Sequence, residues 1–503
     1  YGLIGTSSFF KRDTKPGTSD PGFDGVDAFN TYSDVTSQNW FLQGAEAGKY
    51  SSEDIYAVRI LALEPTSHIS YGPNHVPGFT RNFKVIGNER TRILGEIPLK
   101  KYDAQGKLIM DPEGNPDTSF LAKIPGDVPF TFQTIDKNGM VLNMSQTWHQ
   151  VRPGEVRTDC GGCHSHSKQS LDFSQTAAAK PGYKVVDLAN TTPIIVADGQ
   201  GWNGVYVSPN KVEEVEYYRD IKPILQRSCV QCHSKNGPAE AGLILDDDAI
   251  VKGVDNTYNR LADDKQAQYG IPPLTAPFGW NQGNQSRYIR SYQSRRSLLM
   301  WKLYGKRLDG WTNADHPSAS IPGDPNSLPN GGTPDEINRA DIDYTGTIMP
   351  PPNSGVPPLT EIEKQFFARW IDLGTPISLP QSYFGQSNWY ADEMRPTTFI
   401  ASPRAGKNPA GWHKIRVSMH DYYTSVDFWK SEVSVNFPIP QWNFQAGDNL
   451  LPYFMPVGDG IYDFYMPEVF DNLQNGEITI RIKDGYGNVK EVKRSFSIGD
   501  PGN

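Results

Sequence analysis

The spacing of apolar and polar residues divides the chain into stretches of different period. From residue 54 onward the apolar residues come in short runs. Val58–Leu63 and Arg92–Ile97 are two of them, and Phe130-Thr131-Phe132 alternates before the turn Asp136-Lys137-Asn138-Gly139 and the run Met140-Val141-Leu142. Short runs bounded by Asn-Gly and Pro are the pattern of strands joined by hairpins. An N-terminal antiparallel β-sandwich is therefore predicted over residues 54–212. Residues 1–53, rich in Gly, Ser, Asp and Asn, read as an irregular N-terminal arm. From 213 to 378 the spacing turns helical. Asp220 stands ready to cap a helix with Pro223 in its first turn, where a missing N–H costs nothing. Tyr218, Ile221 and Leu225 share one face of it. Ser297–Leu303 predicts a second helix, stopped by Gly305. Thr360 and Glu363 make a capping box for a third, with Ile362, Phe366, Trp370 and Leu373 as the buried stripe and Gly374 and Pro376 at its end.

Residues 379–503 return to period two. Ile415, Val417 and Met419 alternate with Lys414, Arg416 and Ser418. Ile478, Ile480 and Ile482 alternate before the turn Asp484–Asn488, and Phe496 and Ile498 lie on the return strand. This predicts a C-terminal immunoglobulin-like β-sandwich without a disulfide. The 503 residues are too many for one domain, and 40 prolines with 47 glycines agree with many irregular connections. A net charge of −9 disfavours a nucleic-acid partner. No apolar run approaches the ~18 residues that cross a bilayer, so no transmembrane segment is expected. Tyr1–Gly5 lacks the charged start and apolar run of a signal peptide, and Tyr1 is read as the start of a processed chain.

All four cysteines fall in two copies of one motif. Cys160-Gly161-Gly162-Cys163-His164 and Cys229-Val230-Gln231-Cys232-His233 each set two thiols three positions apart with a histidine next to the second. This is the attachment signature of c-type haem: each thiol forms a thioether with one vinyl group, and the turn aims the imidazole at the iron. A zinc ribbon uses paired motifs too, but with knuckles ~15–20 residues apart, and a redox dithiol needs only one pair. Two covalently bound haem c groups are expected, on Cys160, Cys163, Cys229 and Cys232, with His164 and His233 as proximal metal ligands. The first lies in a loop of the N-terminal β-domain. The second lies in what its flanking helices make an α-helical cytochrome c-type domain, its first and last helices packing across each other to close the pocket. The expected fold is thus mixed and multidomain. Attachment of this kind implies a periplasmic or extracellular location.

The sixth ligands are less determined. Met349 sits in Gly346-Thr347-Ile348-Met349-Pro350-Pro351-Pro352, where prolines stiffen the loop, and is the first candidate for the second iron; His316 is the alternative. For the first iron His149 is the candidate, its competing reading being a packed core histidine beside Trp148. His166 is too close to His164 to reach the opposite face. His68, His75 and His413 read as surface residues, His420 as a distant candidate for a neighbour's haem, and Met140 and Met144 as packing. Asp246-Asp247-Asp248 lacks EF-hand spacing and reads as a turn cap.

Gly95-Glu96-Ile97-Pro98, Ile124–Phe130 and Arg152-Pro153-Gly154-Glu155 leading into Cys160 resemble the middle domain of the hydrazine synthase alpha subunit family. Asp220–Leu225 before Cys229, and Ile348–Pro351 before Trp370-Ile371-Asp372, resemble a cytochrome c domain common in the wider group of dihaem proteins. The resemblance covers about residues 55–375 and implies the haem positions and domain order. The family's N-terminal propeller has no counterpart in repeats here. In the family, the catalytic haem is held by a tyrosine four residues after the motif histidine, and that histidine holds zinc with a distant cysteine. Here that position is Lys168 and there is no fifth cysteine. The leading expectation is a dihaem electron-transfer protein outside the cytoplasm, working with redox partner proteins or assembled with itself or other haem proteins. The alternative is a haem oxidoreductase of nitrogen compounds with the first haem as its active site. A scaffold that carries haem only for folding is a third reading.

Overall fold

The computed structural model describes residues 1–9, 54–63, 70–71, 77–78, 83–84, 90–145, 148–159, 171–197, 202–207, 214–264, 268–269, 285–290, 292–310, 312–313, 344–378, 395–421 and 425–499. The first motif, His166, Lys168, His68, His75 and His316 lie outside these residues.

The apolar runs of the N-terminal third form a four-stranded antiparallel sheet in the order Thr91–Pro98, Ala57–Leu63, Phe130–Ile135, Val141–Met144. Its last hairpin turns at Asp136, whose Oδ1 accepts from the amides of Asn138 and Met140 at 2.8 and 3.0 Å. Gly139 adopts φ 75° there, the left-handed region that suits glycine. One sheet face packs Val58, Ile60, Phe130 and Phe132 against Ile4, Phe120, Ala122 and Ile124 of a second sheet. That second sheet is mixed. Gly2–Thr6 pairs antiparallel with Phe120–Ile124 and parallel with Val156–Arg157, and Val186–Asp187 runs parallel to Phe120–Ile124. The purely antiparallel sandwich is thus corrected, because distant segments return to the sheet edges by long connections, as parallel pairing requires. The irregular arm opens instead as a buried strand, Gly2–Thr6.

Among the described residues no α-helical cytochrome c-type domain forms, and the expected fold class is overturned. The chain is chiefly β, and its described residues hold four short α-helices: α1 Lys222–Ser228, α2 Asn256–Ala262, α3 Leu298–Tyr304 and α4 Glu361–Asp372. The first three have seven residues each, about two turns. They are set among 3₁₀ turns and a small hairpin, Ile250–Val251 with Val254–Asp255. The apolar spacing between residues 213 and 378 is helical only locally, since Pro and Gly break it repeatedly.

The helix caps follow the sequence in part. α4 has its capping box at Thr360 and Glu363, and α3 ends at Gly305 with φ 70°. The start of α1 differs. One turn of π-helix, Tyr217–Ile221, precedes it, and Glu216, rather than Asp220, caps that turn by accepting from the Arg219 amide at 2.9 Å. Asp220 instead accepts from the Glu216 amide at 2.8 Å. The stripe of α4 also differs: Ile362 is 47% exposed, whereas Arg369 and Asp372 are buried with Trp370.

Those two charges explain how the helical segment meets the sheet. The sheet face turned away from Phe120 carries Arg59, Glu96 and Gln133, all fully buried. Glu96 accepts from Arg59 Nε at 2.7 Å, from Arg369 Nη2 at 3.1 Å and from the Ile195 amide at 2.9 Å. Gln133 Nε2 donates to the Asp372 carbonyl at 2.7 Å. Asp372 accepts from Ser294 Oγ at 2.8 Å and the Val141 amide at 3.0 Å. Burial would push the Glu96 carboxyl up, but the two guanidinium groups outweigh it and hold it at about 2. For Asp372 burial wins over Arg59 and the Ser294 bonds, and its carboxyl is raised to about 7.

The C-terminal segment is a pair of four-stranded sheets. One runs Thr397–Ser402, Trp412–His420, Ile461–Phe470, Met455–Gly458, and the other Gly406–Asn408, Val489–Ile498, Leu473–Lys483, Glu432–Val435. Ile415, Val417 and Met419 from the first and Ile478, Ile480 and Ile482 from the second share one core. Gly406–Asn408 is parallel to Val489–Ile498, and the other pairings are antiparallel.

Candidate functional site

The second motif is a continuation of α1. Ile224 and Leu225 bury one face of the helix, which stops when the amides of Cys229 and Val230 both turn to the Leu225 carbonyl, at 2.8 and 3.1 Å. The Cys229 carbonyl then accepts from the amides of Cys232 and His233 at 3.1 and 3.0 Å. Both sulfurs and the imidazole are therefore carried on one hydrogen-bonded turn. The Glu240 amide donates to the Cys232 carbonyl at 3.1 Å, and the Leu245 amide to the His233 carbonyl at 2.8 Å, closing the loop over the turn. Behind it, Asp246 accepts from Ser234 Oγ at 2.7 Å, Asp247 from Asn256 Nδ2 at 2.7 Å, and Asp248 from Lys222 at 2.6 Å. The three aspartates thus brace the loop.

The His233 Nδ1 lies 3.1 Å from the Glu240 carbonyl. A carbonyl only accepts, so Nδ1 carries the proton and the neutral ring keeps its lone pair on Nε2. Burial holds the ring's pKa below the ordinary value, against the opposing hydrogen bonds to Glu240 and Leu243. Burial also pushes the Cys229 thiol up to about 12. A reactive or zinc-binding cysteine needs the opposite shift. Cys229 and Cys232 form no disulfide. Among the described residues no group of three or more His, Cys, Asp or Glu is placed to hold a metal ion.

Cys229, Cys232 and His233 line a cavity with ≈ 830 Å³ of space, counting its open mouth. Leu225, Leu261, Leu298 and Leu303 make it apolar, and Met349, Pro350 and Val356 line it as well. The structure thus brings Met349 to the cavity that holds the second motif. The loop carrying Met349 is tied to α3: its amide donates to the Lys302 carbonyl at 2.8 Å, and Lys302 Nζ donates to the Thr345 carbonyl. A Cβ on Gly305 would come within 3.0 Å of Ile348 Cβ, so glycine permits the close approach of loop and helix. Lys302 lines the cavity too, and burial lowers its pKa.

These groups fit a covalently attached haem: two thiols and one basic imidazole nitrogen on a single turn, a thioether from a separate loop, and apolar walls. One expectation about its enclosure is corrected. α4 does not line the cavity; its Trp370 packs on Tyr217 at 5.9 Å and Tyr258 at 6.1 Å, in the core behind. Lys302 and Glu240 were not singled out from the sequence. A lysine on a short helix and a loop carbonyl leave no pattern.

The other histidines are dispersed. His149 is paired through its backbone with Phe130 at a sheet edge, its ring 5.8 Å from Phe130 and 5.5 Å from Phe132. His413 is exposed, its Nδ1 3.2 Å from the Gly411 carbonyl. His420 lines a separate crevice with Lys123, Arg416 and Asp459, and burial lowers its pKa. Met140 is fully buried in the core, as packing requires. No helix among the described residues is long and apolar enough to cross a membrane.

Comparison with known proteins gives three kinds of match. Residues 54–165 match the family model of the hydrazine synthase alpha subunit middle domain. Over 305 residues, 52% of this chain, the sequence is 26% identical to hydrazine synthase subunit alpha of Kuenenia stuttgartiensis. The chain spans 34% of that relative's length. Among solved structures, Kuenenia stuttgartiensis hydrazine synthase aligns with 75% of this chain and 43% of its own, at 19% identity and a TM-score of 0.42. CopC from Methylosinus trichosporium OB3b aligns with 21% of this chain and 97% of its own, at 15% identity and a TM-score of 0.15.

Proposed function

We propose that this chain, which is similar to hydrazine synthase subunit alpha and matches that subunit's middle domain over residues 54–165, is a dihaem c-type protein that transfers electrons outside the cytoplasm. The observation that supports this most is the convergence of Cys229, Cys232, His233 and Met349 on one apolar cavity. Each thiol would add its S–H across a vinyl group of the porphyrin, sulfur to one carbon and hydrogen to its neighbour, so no oxidant is needed. His233 would offer Nε2 to the iron, its Nδ1–H held by the Glu240 carbonyl. Met349 offers its sulfur. The group supplies a one-electron couple, and the leucines of the cavity keep water from it. Cys160, Cys163 and His164 would hold the other haem through the same motif chemistry, with His149 the candidate for its second protein ligand. Redox proteins are the partners of such a chain, in an assembly with itself or with other subunits. A periplasmic or extracellular location follows from the attachment chemistry.

The relationship to a hydrazine synthase subunit favours a second reading, haem chemistry on nitrogen compounds at the first motif. One set of measurements separates the two. Intact mass should exceed the polypeptide by two haems, and both irons of the reduced protein should remain closed to carbon monoxide. A colourless protein ends both readings. Carbon monoxide binding with turnover of hydroxylamine and ammonium replaces the first by the second.

A further inference from the structure

Lys302 stands out among the residues that line the cavity. Most of the others are apolar, and it is the one lysine or arginine among them. It is half-buried, and among the described residues no carboxylate lies within ion-pairing distance of it. Most buried or half-buried cations nearby are matched: Lys222 by Asp248 and Asp255, Arg260 by Asp247, Arg307 by Asp309. The Lys302 ammonium instead donates to the neutral Thr345 carbonyl and sits 5.3 Å from the Tyr344 ring. Lys302 and His233 line the same cavity. The same residue holds the Met349 loop at two points, Nζ on Thr345 and the main-chain carbonyl on the Met349 amide at 2.8 Å.

We propose that Lys302 is a positioning residue with two separable effects: it tethers the loop that presents the Met349 sulfur, and it sets in the cavity wall a positive charge with no carboxylate partner among the described residues, which would favour the ferrous state of a haem held there. This rests on the haem reading of the cavity. Reduction adds one negative charge at the iron, and a fixed cation in an apolar, partly water-free site stabilises the reduced form more than it would in water. A carboxylate beside Lys302 would cancel that effect, and none is present among the described residues. The tether works through a different property of the side chain, its N–H donor, so the two effects part under substitution.

The test is potentiometric titration of the full holoprotein, with the near-infrared sulfur-to-iron band recorded for each variant. Lys302→Gln keeps a donor for Thr345 and removes the charge. It should retain the band and shift the ferric–ferrous equilibrium of one haem about tenfold toward ferric, ~59 mV for one electron. Lys302→Arg keeps both charge and donor and should restore the wild-type potential. Lys302→Met removes both, and should lower the potential and weaken the band. A Lys302→Gln potential equal to wild type overturns the charge effect, and a Lys302→Met band of full intensity overturns the tether. Wild-type protein that carries two haems but has no such band refutes Met349 ligation and the tether with it. Wild-type protein without haem mass sinks the reading of the cavity itself, a result distinct from all of these.

Discussion

Glu96→Ala tests whether the buried charges between sheet and α4 hold the molecule together. Glu96 and Arg59 have no exposed side-chain surface, and Arg369 is 5% exposed. Removing the carboxylate leaves two guanidinium groups facing each other without their shared acceptor, and leaves the Ile195 amide without its partner. Breaking a buried ion pair from one side costs about 3–5 kcal/mol, because the remaining charge stays desolvated. At roughly 2–4 °C per kcal/mol for a cooperative unit of 150–250 residues, the melting transition should fall by roughly 6–20 °C. The assay is thermal and urea unfolding followed by circular dichroism at pH 7. The loss should shrink as pH falls: the carboxyl is held at about 2 in the folded chain, so its contribution is complete above its unfolded value of about 4.3 and vanishes as pH drops through about 2. The exposed pair Arg157–Glu155 is the control, and its loss should leave the melt unchanged. A Glu96→Ala loss under about 1 kcal/mol would refute the reasoning, since it would mean that water reaches the two arginines or that they find other acceptors.

Four further outcomes are expected. Asp372, raised to about 7 by burial, contributes stability present below its unfolded value near 4 and lost as pH rises through 7; Asp372→Asn should flatten that part of the stability–pH curve relative to wild type. Met349→Ala should abolish the sulfur-to-iron band and lower one reduction potential, and unchanged potentials would make Met349 simple packing. Thr360→Ala removes the α4 cap and should cost about 1 kcal/mol in urea unfolding, a neutral result contradicting the capping geometry. Cys229→Ser with Cys232→Ser should reduce the intact mass by one haem, and a loss of both would show that the sites depend on each other.

What the sequence made legible is what local chemistry determines. The capping box at Thr360, the stop at Gly305 and the hairpin turn at Asp136 need only neighbouring residues, and all appear. Alternation in Ile415–Met419 and Ile478–Ile482 marks strands with one face on a core, and these are buried as read. Reasoning failed where partners lie far apart. Arg59, Glu96, Arg369 and Asp372 look like solvent-facing charges in any local window, yet they are buried because each finds its complement across hundreds of residues. That is also why the stripe of α4 was misplaced: polar residues occupy its buried face, and Ile362 points outward. The helical domain was over-read for a related reason. Three of its helices are about two turns long, and most stability of so short a helix comes from the packing around it. For the site, spacing and loop stiffness pointed to the second motif and to Met349, which line one cavity. Lys302 was not, because its role depends on what surrounds it.

The way Glu96 is shared has a consequence for how such a chain can change over time. Position 96 sits in one strand and position 369 in a helix 273 residues later, yet one carboxylate serves both that helix and Arg59. A lineage that replaces Glu96 alone passes through an intermediate with two stranded guanidinium charges, so an apolar residue at 96 should come only with exchange of both arginines for apolar residues of similar volume. The sheet and the helical segment are therefore constrained together at their junction. Neither is free to be shuffled into another protein without redrawing the face it leaves behind.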